Sequence, residues 1–358
     1  MKAVDEARRL LTAAVAARVF PAAVTDVGAS GGTVWREAFG AVTFAPDAAP
    51  TRDATPFDLA SLTKPIATTT VVMDLVAAGR ARLDDPLASS FAEWRGPSRE
   101  RATLTDLLEH ASGLPARLLD PPPRSRREFE HEICSTPLEY EPRTRSVYSD
   151  LGFILLGMLA ERLRAGSLAE QFDAIRRRLG AAEPDLAAEP LTFALAPSAR
   201  RMAAPTSPLP DDVRRGRNLV GEVHDSYAAA LDGVAGHAGL FGTAAAVAAF
   251  ARVILRALRG DAHPDPLSLA GVSRIATKSA VPGSSRALGW DTMLPGSSCG
   301  TRMSAAAIGH VGFTGTSLWI DPVRDRYFVL LTNRACDGGT LDQMRTVRRA
   351  FHDALADL

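Results

Sequence analysis

Hydrophobic and polar positions follow different rhythms along this chain, and each rhythm predicts a different element. Over residues 3–19 apolar positions recur at helical spacing, with Asp5, Glu6, Arg8, Arg9 and Arg18 between them, which predicts an amphipathic helix. Residues 22–28 and 33–44 read as two β-like runs around Ser30-Gly31-Gly32, a hairpin. Residues 66–78, and those that follow Asp150, are apolar almost all the way round, as in helices that are buried rather than laid on a surface. Between them Thr103 caps a short helix that runs through His110 and stops at Ser112-Gly113-Leu114-Pro115. Residues 116–130 carry Pro121-Pro122-Pro123 and a charged helix, a surface excursion. A further helix spans 243–258. The last third changes rhythm: 288–293, 304–310, 316–321 and 326–333 read as strands joined by short turns, and 341–358 as a C-terminal helix.

Composition narrows the function classes. The 358 residues suffice for two lobes, and the formal net charge of zero offers no electrostatic grip on nucleic acid or an anionic membrane. Arg176-Arg177-Arg178 reads as a solvated helix end. Cys134, Cys299 and Cys336 are odd in number, widely spaced and unlike a zinc pattern, so they are expected to be reduced thiols. The charged residues of the first helix interrupt any apolar core a signal peptide would need, and no membrane span is evident, so the expected compartment is the cytoplasm.

The candidate chemistry centres on Ser61-Leu62-Thr63-Lys64, which puts a hydroxyl and an amine one turn apart at the start of a buried helix. The chain has thirty-eight arginines and only three lysines, Lys2, Lys64 and Lys278. Arginine does not give up its proton, whereas a buried lysine can act as a base, so the retention of Lys64 inside an apolar helix points to chemistry. Ser30 and Ser298 each sit in a G-x-S-x-G match, but neither is followed by the helix that pattern requires. Tyr148 and Asp150 are presented just before the second all-apolar helix, and a tyrosine near a lysine can share its proton. His110 is expected to be structural. His224, Asp225 and His237 lack a paired metal-ligand spacing, and residues 309–316 place His310 and free amides along a strand edge.

Taken together, Ser61-Leu62-Thr63-Lys64, residues 107–115, Tyr148-Ser149-Asp150, the glycine-punctuated 233–242 and His310-Val311-Gly312 resemble the serine β-lactamase and penicillin-binding protein superfamily, in particular class C β-lactamase-like hydrolases and esterases. The resemblance implies an α+β fold: an antiparallel sheet flanked by the N- and C-terminal helices (residues 1–58 and 272–358) plus an all-helical lobe (59–271), with the active site in the cleft between them. It further implies that Ser61 attacks an ester or amide carbonyl, that Lys64 and Tyr148 handle protons, and that the amides of Ser61 and Phe313 form the oxyanion hole. Asp150, His310 and Gly312 would bind substrate. No cofactor or metal is implied.

Two positions depart from the family pattern. Asp150 stands where Asn is usual, and His310 replaces the lysine that in β-lactamases helps hold the antibiotic's carboxylate. With an ordinary pKa of about 6.5 a histidine is mostly neutral at pH 7, so binding of an anionic β-lactam is expected to suffer. Arg143 occupies a turn where relatives usually carry Gly. The expectation is therefore a cofactor-free serine hydrolase acting on small-molecule esters or amides rather than efficiently on β-lactams. The alternatives are a β-lactamase or D-amino-acid-specific peptidase, and, from another class, an acyl-binding sensor that does not turn over.

Overall fold

The computed structural model describes residues 2–117, 123–260 and 269–358; Pro121 and Pro122 of the expected surface excursion lie outside them. The N-terminal helix, Lys2–Ala16, leads into β1 (Ala22–Ala29) and β2 (Gly32–Gly40), which pair as an antiparallel hairpin with an irregularity at Val27/Gly28. Short strands β3 (Phe57–Asp58), β4 (Leu191–Thr192) and β5 (Phe241–Gly242) make a small separate sheet in the order β3-β5-β4. Strands β6 (Asp291–Thr292), β7 (Ile308–Val311), β8 (Ser317–Asp321) and β9 (Arg326–Thr332) complete the main sheet. Its order is β2-β1-β9-β8-β7-β6, and every pairing is antiparallel.

Side chains leave a strand alternately to its two faces, and here both faces are covered. Ala23 and Val27 of β1, Trp319 of β8 and Phe328 and Leu330 of β9 pack with Leu11, Met344 and Phe351 under the two terminal helices. Ala22, Val24, Leu318, Ile320, Val329 and Leu331 face the opposite way, into the larger core. There the helix Ala244–Leu258, capped by the Thr243 hydroxyl, packs on β1, β8 and β9. The C-terminal helix, Leu341–Ala354, opens on a reciprocal cap between Thr340 and Gln343. The fold is α+β, with an antiparallel sheet between terminal helices on one side and helical segments on the other.

Three differences from expectation have local causes. The second strand stops at Gly40 because Ala41 and Val42 turn to pair with Pro50 and Ala49 instead. The 288–293 run contributes only Asp291–Thr292, since Ala287 N–H bonds to the Trp290 carbonyl and closes a tight turn first. The 304–310 run begins as a turn tied to Asp321 and becomes strand only at Ile308.

Candidate active site

Ser61 lies in a single 3-10 turn, Ala60–Leu62, and the segment after it winds wider than an α-helix: Lys64–Thr69 is π-helical before Thr70–Ala77 becomes α-helical. Pro65 lacks an N–H and resists regular α-helical bonding, consistent with the irregularity occurring there. Ala60 is held at φ 49°, a left-handed conformation that costs an L-residue energy and needs support from its surroundings. That support is the buried Asp58 carboxylate, which accepts from Ala60 N–H at 2.8 Å and His224 N–H at 2.6 Å. Burial pushes the Asp58 carboxyl up to about 6, against those two hydrogen bonds.

The sheet is pinned onto this turn by hydroxyls. Thr314 Oγ1 donates to the Asp58 carbonyl at 2.8 Å and Thr316 Oγ1 to the Leu59 carbonyl at 3.0 Å. Gly312 sits in the resulting crevice. A Cβ there would lie 2.1 Å from Thr316 Oγ1 and 2.6 Å from the Leu59 carbonyl, so Gly312 is required for the close approach of β7 to Ser61. The Phe313 carbonyl is taken by the Arg334 guanidinium at 2.7 Å, while among the described residues its amide has no acceptor. The Ser61 amide heads a helical turn, where an N–H has no partner of its own.

Lys64 is wholly buried, and its Nζ donates to three oxygens: Ser61 Oγ at 3.0 Å, Asp150 Oδ1 at 2.7 Å and the His237 carbonyl at 3.0 Å. The carbonyl is delivered by the 233–242 segment. Gly236 allows that delivery, because a Cβ there would meet the Phe153 carbonyl at 1.8 Å. Asp150 opens the helix Asp150–Leu163, whose residues from Leu151 to Ala160 are all buried, as the apolar pattern predicts. Tyr148 lies with its ring centroid 4.8 Å from Lys64 Nζ.

The proton affinities follow from these contacts. Burial pulls the Lys64 ammonium down, but the Asp150 carboxylate and Tyr148 outweigh it and leave the lysine above its ordinary value. Burial pushes the Tyr148 phenol up, opposed by Lys64 and helped by Asp150. At rest, Lys64 is therefore an ammonium and Tyr148 a neutral phenol.

Two imidazoles flank Tyr148, with ring centroids 4.6 Å (His110) and 5.9 Å (His310) away. His110, at φ 56°, accepts the Ser149 N–H on Nδ1 at 3.0 Å, which fixes the start of the Tyr148 segment. The ring thus meets a loop amide rather than the helix carbonyls near which it was expected. His310 Nδ1 donates to the Val311 carbonyl at 2.9 Å, so its buried Nε2, which has no partner among the described residues, is an acceptor. Burial, with the charges of Arg286 and Lys64, holds both rings neutral, well below the ordinary histidine value.

The other candidates fall elsewhere. Ser30 is at the hairpin tip, bonded to Asp325, and Ser298 accepts from Trp319 Nε1 in a loop. Asp225 caps the helix Ser226–Ala230 and bonds the His237 ring at 2.7 Å, while the His224 ring stacks on Phe313. Arg143 adopts φ 70°, the conformation a glycine favours, and is held there by Asp106 at 2.8 Å. All three cysteines are free and buried, and among the described residues no helix is long and apolar enough to cross a membrane. Sequence reasoning missed Arg117, which reaches Asp150 and Asp225, and Arg286, whose guanidinium lies 5.1 Å from the Tyr148 ring centroid. Arg117 lies two residues beyond the expected Ser112-Gly113-Leu114-Pro115 turn, but nothing in its spacing marks it among so many arginines.

Known proteins share the chain's sequence pattern and its fold. The sequence profile of the family described as Beta-lactamase matches residues 7–351. An N-acetylmuramyl-L-alanine amidase from Bacillus subtilis (strain 168) is 30% identical over 306 residues, which cover 78% of this chain and 68% of that protein. Among solved structures, EstCE1, a hydrolase with promiscuous acyltransferase activity, superposes with a TM-score of 0.76 at 17% identity, covering 99% of this chain and 98% of its own. A class C β-lactamase from Rhodobacter sphaeroides gives a TM-score of 0.75 at 18% identity, covering 99% of each chain. With a fold shared along the whole chain and a family profile that spans nearly all of it, the protein belongs to the β-lactamase family of serine hydrolases.

Proposed function

We propose that the protein forms an acyl-enzyme on Ser61 and acts as an esterase or amidase of small acyl substrates. One observation carries this reading: a half-buried hydroxyl receives a hydrogen bond at 3.0 Å from a wholly buried lysine whose Nζ also meets a carboxylate. In this reading the Lys64–Tyr148 pair, after losing one proton, takes the Ser61 proton as Oγ attacks the carbonyl, and Tyr148 returns it to the leaving group. The Ser61 and Phe313 amides hold the oxyanion. Water then repeats the sequence and releases the acid. None of these steps calls for a cofactor.

His310 sets the preference between substrates. A neutral acceptor at its position gives no charge attraction to a β-lactam carboxylate, so short-chain p-nitrophenyl esters should have a higher kcat/KM than a chromogenic cephalosporin. His310→Lys should narrow that ratio by about tenfold, the effect of one partly screened charge pair. The test is a panel of p-nitrophenyl esters, D-aminoacyl amides and the cephalosporin, read as ratios at one pH. A wild-type protein that prefers the cephalosporin contradicts the esterase reading.

A second reading, a β-lactamase or D-amino-acid-specific peptidase, is favoured by Arg286. Its guanidinium lies over the Tyr148 ring, and its ion pair among the described residues is a 4.0 Å approach to Asp291. If Arg286 holds a carboxylate on the substrate, Arg286→Gln raises KM for the cephalosporin and leaves KM for neutral esters unchanged.

A further inference from the structure

Asp150 is shared between two cations. Its Oδ1 meets Lys64, and its Oδ2 lies 3.5 Å from Arg117 Nη1, the nitrogen that also donates to Asp225 Oδ2 at 3.0 Å. Asp225 Oδ1 meets His237 Nε2 at 2.7 Å, and the His237 carbonyl receives Lys64 at 3.0 Å, so the contacts close into a ring. The Arg117 guanidinium rests 4.1 Å from the centroid of the Tyr227 ring, which fixes its approach. Burial pushes the Asp225 carboxyl up, but the His237 ring and Arg117 outweigh it and hold the group well below the usual carboxylate range. Asp225 is therefore a permanent anchor for Arg117. The other groups around Lys64 and Tyr148 are Ser61, His110, His310 and the Arg286 guanidinium over the Tyr148 ring; those around Arg117 are the two carboxylates and Tyr227.

We infer that Arg117 is a positioning residue that shares the Asp150 carboxylate with Lys64, so that Asp150 orients the lysine while holding its proton less tightly than an unshared carboxylate would. This rests on the reading of Lys64 and Tyr148 as the proton carriers. A carboxylate facing a buried lysine alone stabilises the charged form, which cannot act as a base. A second cation on the carboxylate's other oxygen draws negative charge away and repels the ammonium, and arginine is suited to this because it stays charged throughout. The sign is the same if the titrating proton sits on Tyr148, because a nearby cation also favours the phenolate.

The test is the pH profile of kcat/KM for a neutral aryl ester, whose own charge does not change. Arg117→Gln should move the acidic limb upward by about 0.5 unit, a roughly threefold loss at every pH well below it. Arg117→Lys should restore most of the shift. In an Asp150→Asn background the effect of Arg117→Gln should fall to less than half. The Arg117 side chain is 39% exposed, so the glutamine variant is not expected to threaten folding. A limb that stays put, moves downward, or moves equally in both backgrounds overturns the inference. Fluorophosphonate labelling that survives Ser61→Ala overturns the reading of Ser61 as the nucleophile instead, so the two failures are distinguishable.

Discussion

Lys64→Arg should be nearly as damaging as Lys64→Ala, each lowering kcat/KM for a p-nitrophenyl ester by about 10³-fold or more. The arginine keeps the positive charge, so a lysine that served only as a counter-ion for Asp150 would tolerate it. A base would not, because a guanidinium does not lose its proton in the working range. Geometry adds to this. Lys64 has no exposed surface and aims one nitrogen at three oxygens within 3.0 Å, a convergence that a planar fork does not reproduce. Steady-state kinetics on the two variants, with thermal melting to confirm that both fold, decides the matter. Retention of more than about a tenth of wild-type activity in Lys64→Arg would remove the lysine from proton transfer.

Asp150→Asn should shift the acidic limb of the kcat/KM profile downward by about 1 unit. In the folded protein the Lys64 ammonium stands above its ordinary value because Asp150 and Tyr148 outweigh burial, so removing the carboxylate charge makes the proton easier to lose. The base form then persists to lower pH, and activity at every pH well below the limb rises by about tenfold. His310 does not blur the result, since burial and the charges of Arg286 and Lys64 keep it neutral well below its ordinary value. Profiles of wild type and variant on one neutral ester are sufficient. A limb that moves upward would mean that Asp150 does not control the proton on Lys64.

What could be read from the sequence follows from how local each feature is. Ser61 and Lys64 meet because three residues of helical winding bring them together, and Asp150 meets Lys64 because each lies beside an apolar helix bound for the same core. The π-helical turn after Ser61 was not legible, because an apolar run has the same composition whether it winds as α or π. Arg117, Asp225 and the His237 carbonyl were not legible as one ring, because they come together only when the loop after Pro115 folds back on the 225–237 segment. His237 contributes a backbone atom to Lys64, and a backbone atom leaves no trace in residue type. The scarcity of lysine did mark Lys64. The abundance of arginine hid Arg117 and Arg286.

The strand boundaries show the same limit. Short apolar runs between turns placed β8 and β9 nearly to the residue, whereas 288–293 and 304–310 lost residues to turns set by single backbone or carboxylate contacts. Gly312 was legible as part of a motif, but its physical reason is the crevice between Thr316 and Leu59.

The most direct test of the account is the intact mass of the protein after brief exposure to a reactive acyl ester, followed over time, with peptide mapping of the trapped adduct. The account predicts a single acyl addition on Ser61 that appears and then disappears as the protein returns to its starting mass, and no addition in Ser61→Ala. An adduct on Ser30 or Ser298, or one on Ser61 that never hydrolyses, would contradict a hydrolase built on Ser61.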